Sequence, residues 1–288
     1  MKTVPKIVAI GGGEISERET DAIDERIIEL TGKTEPKALF IPTASSDALG
    51  YIETFEAYYG RHFGCQTRIL KLVENPPAFA DMAAIVLNSD LIYVGGGNTY
   101  KMMKLWRRLG LDNVLAQAAS RGIILSGLSA GAICWFRYGH SDSRSFSSNP
   151  NWDYIRVRGL GFINAVFCPH YHFEKRETSL SEMIVKRGGI GIACDNNAAI
   201  EIVGEHYRIL TSASDSKAYK LFKRSGNTVI KELPQSSEYS SLANLLYQIN
   251  ENCIVFIADG KGGHRDPPLR FQNPISCDTK ESVPKLIF

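Results

Sequence analysis

The stretch Ile123-Ile124-Leu125-Ser126-Gly127-Leu128-Ser129-Ala130-Gly131-Ala132 runs an apolar strand into Gly-x-Ser-x-Gly and on into the small residues of a helix start. A serine at that junction reads as a nucleophile elbow. The turn is sharp enough to push the hydroxyl off the end of a sheet, and side chains two positions to either side would collide with neighbouring backbone. The bland reading is a tight strand-to-helix turn in which Gly127 and Gly131 serve packing and Ser129 caps the helix.

Outward from the elbow, the first half of the chain alternates short apolar runs with amphipathic stretches. Ile7–Ile10 precedes polar 17–31, Ala38–Pro42 precedes 50–62, and Arg68–Leu70 precedes 79–88. Leu91–Val94 then precedes 99–119, and Ile123–Gly127 precedes 130–136. This is repeated βα grammar. The runs are apolar throughout instead of alternating, as strands covered on both faces require, so the expectation is a doubly wound α/β fold with a mostly parallel sheet between helical layers. Residues 137–160 lapse into Gly, Ser, Asn, Asp and Arg, an irregular segment expected near the site. Ala165–Cys168 and a helix over 174–187 follow, then Ile190–Ala193, Ala198–Val203, Tyr207–Leu210, Ala218–Phe222 and Val229–Leu233, read as a small antiparallel C-terminal strand set. The expected division is a catalytic domain over 1–235 and an extension over 236–288 with one helix (238–250) and one strand (253–258).

In a parallel sheet, Gly95-Gly96-Gly97-Asn98-Thr99 emerges at the same carboxyl edge as Ser129. Bare amides at Gly96 and Gly97, with the amide of Ala130, would form an oxyanion hole, and Asn98 and Thr99 are read as substrate contacts. Gly11-Gly12-Gly13 does not complete a dinucleotide fingerprint, because the third glycine would fall on Ser16. No cofactor is expected.

A serine needs a base. Cys168-Pro169-His170 places His170 at a strand exit, with His172 as the reserve, whereas His62, His140, His206 and His264 sit in less ordered or more polar sequence. His170-x-His172-x-Glu174 is also a conceivable metal cluster, but no further spaced ligand supports it, and no metal is assigned. For the acid, Asp142, Asp153, Glu174, Asp195 and Glu201 compete; Asp195, opening Asp195-Asn196-Asn197 after an apolar run, is preferred.

Composition bounds the rest. The formal charge of +2 on 288 residues, with acids and bases interleaved, leaves no footprint for nucleic acid or anionic membrane. Six scattered cysteines without a CxxC pair read as reduced thiols and a cytoplasmic setting. The run Ile7–Ile10 is too brief for a signal peptide core, and no segment is long enough to span a bilayer.

With Gly95-Gly96-Gly97-Asn98-Thr99, Gly127-Leu128-Ser129-Ala130-Gly131-Ala132 and Pro169-His170-Tyr171 in this order, the sequence resembles the peptidase E family over roughly residues 5–233. Relatives in that family include alpha-aspartyl dipeptidases and cyanophycinases. The resemblance implies a flavodoxin-like fold of the class I glutamine-amidotransferase type and serine hydrolysis of small peptides, typically dipeptides with an N-terminal aspartate, without metal or organic cofactor. Ser129 and His170 carry over; for the acid, the resemblance offers the turn of Asp195 or the region of Asp142. Aspartate recognition calls for a cation, for which Arg137, Arg144, Arg156 and Arg176 are candidates, Arg137 and Arg176 foremost. A homodimer is expected from family habit. Two other readings stay open: an amidotransferase-like hydrolase of a non-peptide amide, against which stand Ser129 at the elbow and His172 where a Glu is expected, and a non-catalytic binding protein on the same fold.

Overall fold

Strands that are apolar on both faces must be covered on both faces, and they are. The computed structural model describes residues 4–247. Its strands are β1 (Lys6–Ile10), β2 (Lys37–Ile41), β3 (Gln66–Ile69), β4 (Leu91–Val94), β5 (Ile124–Leu128), β6 (Phe136–Ser141), β7 (Ile155–Arg158), β8 (Ile163–Cys168), β9 (Gly191–Cys194), β10 (Ala198–Val203), β11 (His206–Thr211), β12 (Ala218–Arg224), β13 (Asn227–Leu233) and β14 (Ser240–Ser241). Its helices are α1 (Asp21–Glu29), α2 (Leu49–Phe55), α3 (Phe79–Leu87), α4 (Thr99–Leu109), α5 (Leu111–Ser120), α6 (Ala130–Ile133), α7 (Glu177–Arg187) and α8 (Leu242–Leu246).

The first sheet has the order β14-β11-β10-β1-β5-β4-β2-β3. From β1 to β3 its neighbours run parallel, while β10 is antiparallel to β1 and β11 to β10. One face packs Val8, Ile10, Phe40 and Tyr93 against Ile23 and Ile27 of α1 and Ile52 and Phe55 of α2. The other packs Ile7, Leu39, Ile92 and Leu125 against Met102 and Trp106 of α4 and Leu115 of α5. Each fully buried aliphatic or aromatic side chain contributes about 1.5–3 kcal/mol through lost hydration, which is why these two faces fix the register.

The C-terminal half differs from expectation. A second sheet, β13-β12-β9-β8-β6-β7, lies against the α4–α5 face through Phe136, Phe167 and Ile192. Leu180 and Ile184 of α7 cover its outer side, against Val166, Cys168 and Ala193. The small antiparallel set is thus divided: β10 and β11 extend the first sheet, and β12 and β13 extend the second. Burial explains the split, because β10 is buried at every position but its last and belongs inside a sheet, whereas β13 is largely exposed and forms an edge. Residues 137–160 are likewise not wholly irregular: β6 and β7 pair antiparallel within them.

The helix expected over 99–119 is two helices. Asn98 caps the first, its side chain accepting from the Lys101 amide, and Gly110 stops it at φ 75, a left-handed conformation that suits glycine. At the C-terminal side, β14 pairs with β11, and Leu242 and Leu245 are buried in the main core, so the chain leaves the domain later than residue 235. The remainder of the helix expected over 238–250 and the strand over 253–258 lie outside the described residues. Among the described residues no helix is long and apolar enough to cross a membrane.

Candidate active site

Because β1, β5 and β4 are parallel, their carboxyl ends deliver three turns to one edge. Ser129 takes φ 55 and ψ −111, a strained backbone for a residue with a β-carbon. Its amide donates to the Ile10 carbonyl at 3.0 Å, tying the elbow to the end of β1. The flanking glycines are required by contact: a β-carbon on Gly127 would lie 2.6 Å from the Gly131 carbonyl carbon, and one on Gly131 would lie 2.6 Å from that of Val94. Ser129 is half-buried.

His170 follows β8 and is itself held at a positive φ, 126°. It packs on the turn after β1 so closely that a β-carbon on Gly12 would lie 2.6 Å from its Cε1. Ser129 and His170 therefore bracket the same segment, Ile10–Gly12. Nδ1 of His170 donates to Asn196 Oδ1 at 2.8 Å, which leaves Nε2 as the basic nitrogen. Burial lowers the pKa of His170; the Asn196 hydrogen bond opposes this, the Arg176 charge adds to it, and Glu174 and Asp142 oppose it. The outcome is an imidazole below its ordinary range, neutral at pH 7 and able to accept a proton.

Asp195, the acid expected from sequence, does not meet His170. Its carboxylate accepts from His172 at both the amide (3.2 Å) and Nδ1 (3.0 Å), and from the Lys217 amide at 3.1 Å. Neighbouring side chains in this turn point to opposite sides, so the residue presented to His170 is Asn196. Nothing in the sequence separates Asp195 from Asn196; only the direction of the turn does. Glu201 is also removed from the contest: it is fully buried in mid-strand, gripped by Arg26 and Arg208 and hydrogen-bonded to Tyr239.

On the other flank lies the Gly95–Gly97 turn. Gly97 has φ 130, and a β-carbon there would lie 2.5 Å from the Ala44 carbonyl carbon, so only glycine fits. Its amide and that of Ala130 donate to no protein acceptor among the described residues. The Gly96 amide, by contrast, is occupied, donating to Tyr51 Oη at 3.3 Å. Tyr51 escaped the sequence reading because it sits in the first turn of an ordinary amphipathic helix.

Several expected substrate contacts are structural instead. Besides capping α4, Asn98 donates from Nδ2 to the Ser143 carbonyl at 3.2 Å, and Thr99 is fully buried. Arg137 lies near the start of β6, donating to Asn164 Oδ1 at 3.0 Å. Arg176 is 1% exposed; it grips Glu174 at 2.6 Å, donates to the His140 carbonyl at 2.9 Å and covers the Tyr154 ring at 4.7 Å. The Arg176 guanidinium is therefore not free for a substrate carboxylate. Half-buried Asp142 follows directly on β6, its carboxyl pKa raised by burial against the pull of Arg176. His140, expected in looser surroundings, is fully buried on β6, with Nε2 2.9 Å from Ser179 Oγ. Burial and the Arg176 charge lower its pKa to about 3. The residues of the conceivable metal cluster separate, with His170 on Asn196, His172 on Asp195 and Glu174 on Arg176. Among the described residues no group of three or more such side chains is arranged to hold a metal ion.

Comparison with known proteins agrees with this architecture. The profile of peptidase family S51 matches residues 7–210. The chain is 33% identical over 238 residues to the uncharacterized peptidase YgaJ of Bacillus subtilis, covering 81% of this chain and 98% of that protein. It is 30% identical over 156 residues to Peptidase E of Citrobacter koseri, covering 51% of this chain and 64% of that protein. Among solved structures, a peptidase from an acI-B1 actinobacterium shares the fold with a TM-score of 0.64 at 20% identity, covering 83% of this chain and 98% of that one. A putative peptidase E protein from Listeria monocytogenes does so with a TM-score of 0.55 at 17% identity, covering 73% and 99%.

Proposed function

The chain belongs to peptidase family S51 and is a peptidase, and we propose that it cleaves small peptides, dipeptides beginning with aspartate first among them, through an acyl-enzyme on Ser129. The observation that carries this reading is the strained Ser129, clamped between Gly127 and Gly131, with His170 across the Ile10–Gly12 segment.

Ser129 Oγ attacks the scissile carbonyl while His170 Nε2 takes its proton. Asn196 Oδ1 holds Nδ1–H and so fixes the tautomer that leaves Nε2 free, the orienting role that an asparagine also fills in Cys-His-Asn sites. The negative charge on the former carbonyl oxygen is met by the Gly97 and Ala130 amides. His170 then returns the proton to the leaving amine, and water releases the acyl group by the same steps. Because Arg176 is committed to Glu174 and Arg137 stands at the start of β6, aspartate preference needs another cation and rests on the family resemblance.

The experiment is hydrolysis of Asp-Leu and Asp-Ala against Ala-Leu and Glu-Leu by the wild type and Ser129→Ala. Cleavage confined to the aspartyl substrates and lost in the variant is expected. Cleavage of Ala-Leu at equal rates would remove the aspartate preference, and activity surviving in Ser129→Ala would remove the nucleophile.

A further inference from the structure

An oxyanion site needs donors on the side of the nucleophile away from the base. The strand order β10-β1-β5-β4-β2 sets that geometry, with Ser129 at the end of β5, His170 and Asn196 beside the end of β1, and Gly95–Gly97 at the end of β4. Tyr51, on α2 after β2, reaches the same flank. Its ring is so close to the glycine turn that a β-carbon on Gly95 would lie 2.8 Å from Tyr51 Cε1. One residue on, a β-carbon on Gly96 would sit 3.6 Å from Ser129 Cβ. The Tyr51 hydroxyl and the nucleophile are therefore separated by a single glycine.

The hydrogen bonding at this hydroxyl is half used. Oη accepts the Gly96 amide proton, while among the described residues its own O–H has no acceptor. Resting on the reading of Ser129 as nucleophile, we propose that Tyr51 is a further catalytic residue: its O–H donates to the oxyanion of the tetrahedral intermediate, in place of the Gly96 amide that it occupies. The ring is preorganised for this. It packs edge-on against Phe40 with centroids 5.0 Å apart, and Phe40 in turn stacks on Phe55 at 4.5 Å, so no side chain has to be ordered when the charge develops. Burial pushes the phenol up to about 12, so it remains a protonated donor at working pH.

The test is the second-order rate at which a fluorophosphonate labels Ser129, in the wild type and in Tyr51→Phe. In that reaction Ser129 Oγ forms the P–O bond, fluoride leaves, His170 takes the hydroxyl proton, and the phosphonyl oxygen carries the charge that the oxyanion donors meet. Tyr51→Phe keeps the ring and its packing. Loss of one oxyanion donor costs about 10²–10³-fold, and because the Gly96 amide is released and partly substitutes, a fall of about 10- to 100-fold is expected with an unchanged melting temperature. Labelling within twofold of the wild type overturns the role of Tyr51 and leaves Ser129 standing, whereas an unlabelled wild-type Ser129 overturns both. Should Tyr51→Phe fail to fold, a crystal structure of the phosphonylated wild type decides: the phosphonyl oxygen within hydrogen-bond distance of Tyr51 Oη is expected, and that oxygen turned away from Tyr51 refutes the proposal.

Discussion

Asn196 stands where a serine hydrolase ordinarily keeps a carboxylate, and replacing it in two ways separates its orienting role from any role of charge. The hydrogen bond from His170 Nδ1 is 2.8 Å long and partly buried. Asn196→Asp adds a negative charge at that distance, and an opposite charge within about 4–6 Å moves a pKa by about 1–3 units toward the charged form. The wild-type imidazole lies below its ordinary range because burial dominates; with the carboxylate in place it rises. His170 must be neutral to act as a base, so the acid limb of kcat/KM against pH moves upward by at least about one unit in Asn196→Asp while the alkaline plateau is kept. Asn196→Leu instead leaves a partly buried Nδ1–H unpaired and the ring free to turn. The cost of about 1–3 kcal/mol corresponds to roughly a 5- to 150-fold fall in kcat/KM at pH 7. The assay is the pH dependence of hydrolysis, or of fluorophosphonate labelling, from pH 4.5 to 9. An Asn196→Asp profile that overlays the wild type, with Asn196→Leu as fast as either, would refute the assignment of Asn196 as the partner of His170.

Three further outcomes are expected. Ser129→Gly relieves the positive φ of the elbow and raises the urea midpoint by the equivalent of about 1 kcal/mol while abolishing hydrolysis. Arg176→Met strands Glu174, which is only a third exposed, and lowers stability by about 2–3 kcal/mol in urea titrations, whereas Arg137→Ala leaves both stability and kcat/KM unchanged. Asp24, fully buried beneath Thr20, Tyr58 and Tyr59, has its pKa raised to about 6 by burial. Between about pH 4 and pH 6 the unfolded chain releases this proton and the folded one keeps it, so stability falls with rising pH, by about 3 kcal/mol at pH 7; the wild-type minus Asp24→Asn difference in unfolding free energy shows that slope.

What was legible in the sequence is what depends on one residue type at one place. Ser129 could be read because Gly127 and Gly131 are forced by backbone contact, and the parallel strands could be read because burial on both faces leaves continuous apolar runs. The second sheet was not legible, because β6 interrupts its apolar pattern with Arg137, Gly139 and His140. His140 joins the core by finding Cys168 Sγ and Ser179 Oγ, partners 28 and 39 residues away. Charges misled for a related reason. An arginine written in a loop-like stretch carries no mark of whether it faces solvent, substrate or a carboxylate, and Arg176 is decided by Glu174 only two residues before it. The same holds at His170, where the sequence offers Asp195 and Asn196 side by side and the backbone of the turn chooses the amide. Since Asp195 is already occupied by His172 and the Lys217 amide, exchanging the two residues as Asp195→Asn with Asn196→Asp would disturb two hydrogen-bonded groups at once. The single Asn196→Asp change is therefore the cleaner probe of whether this site works by orientation or by charge.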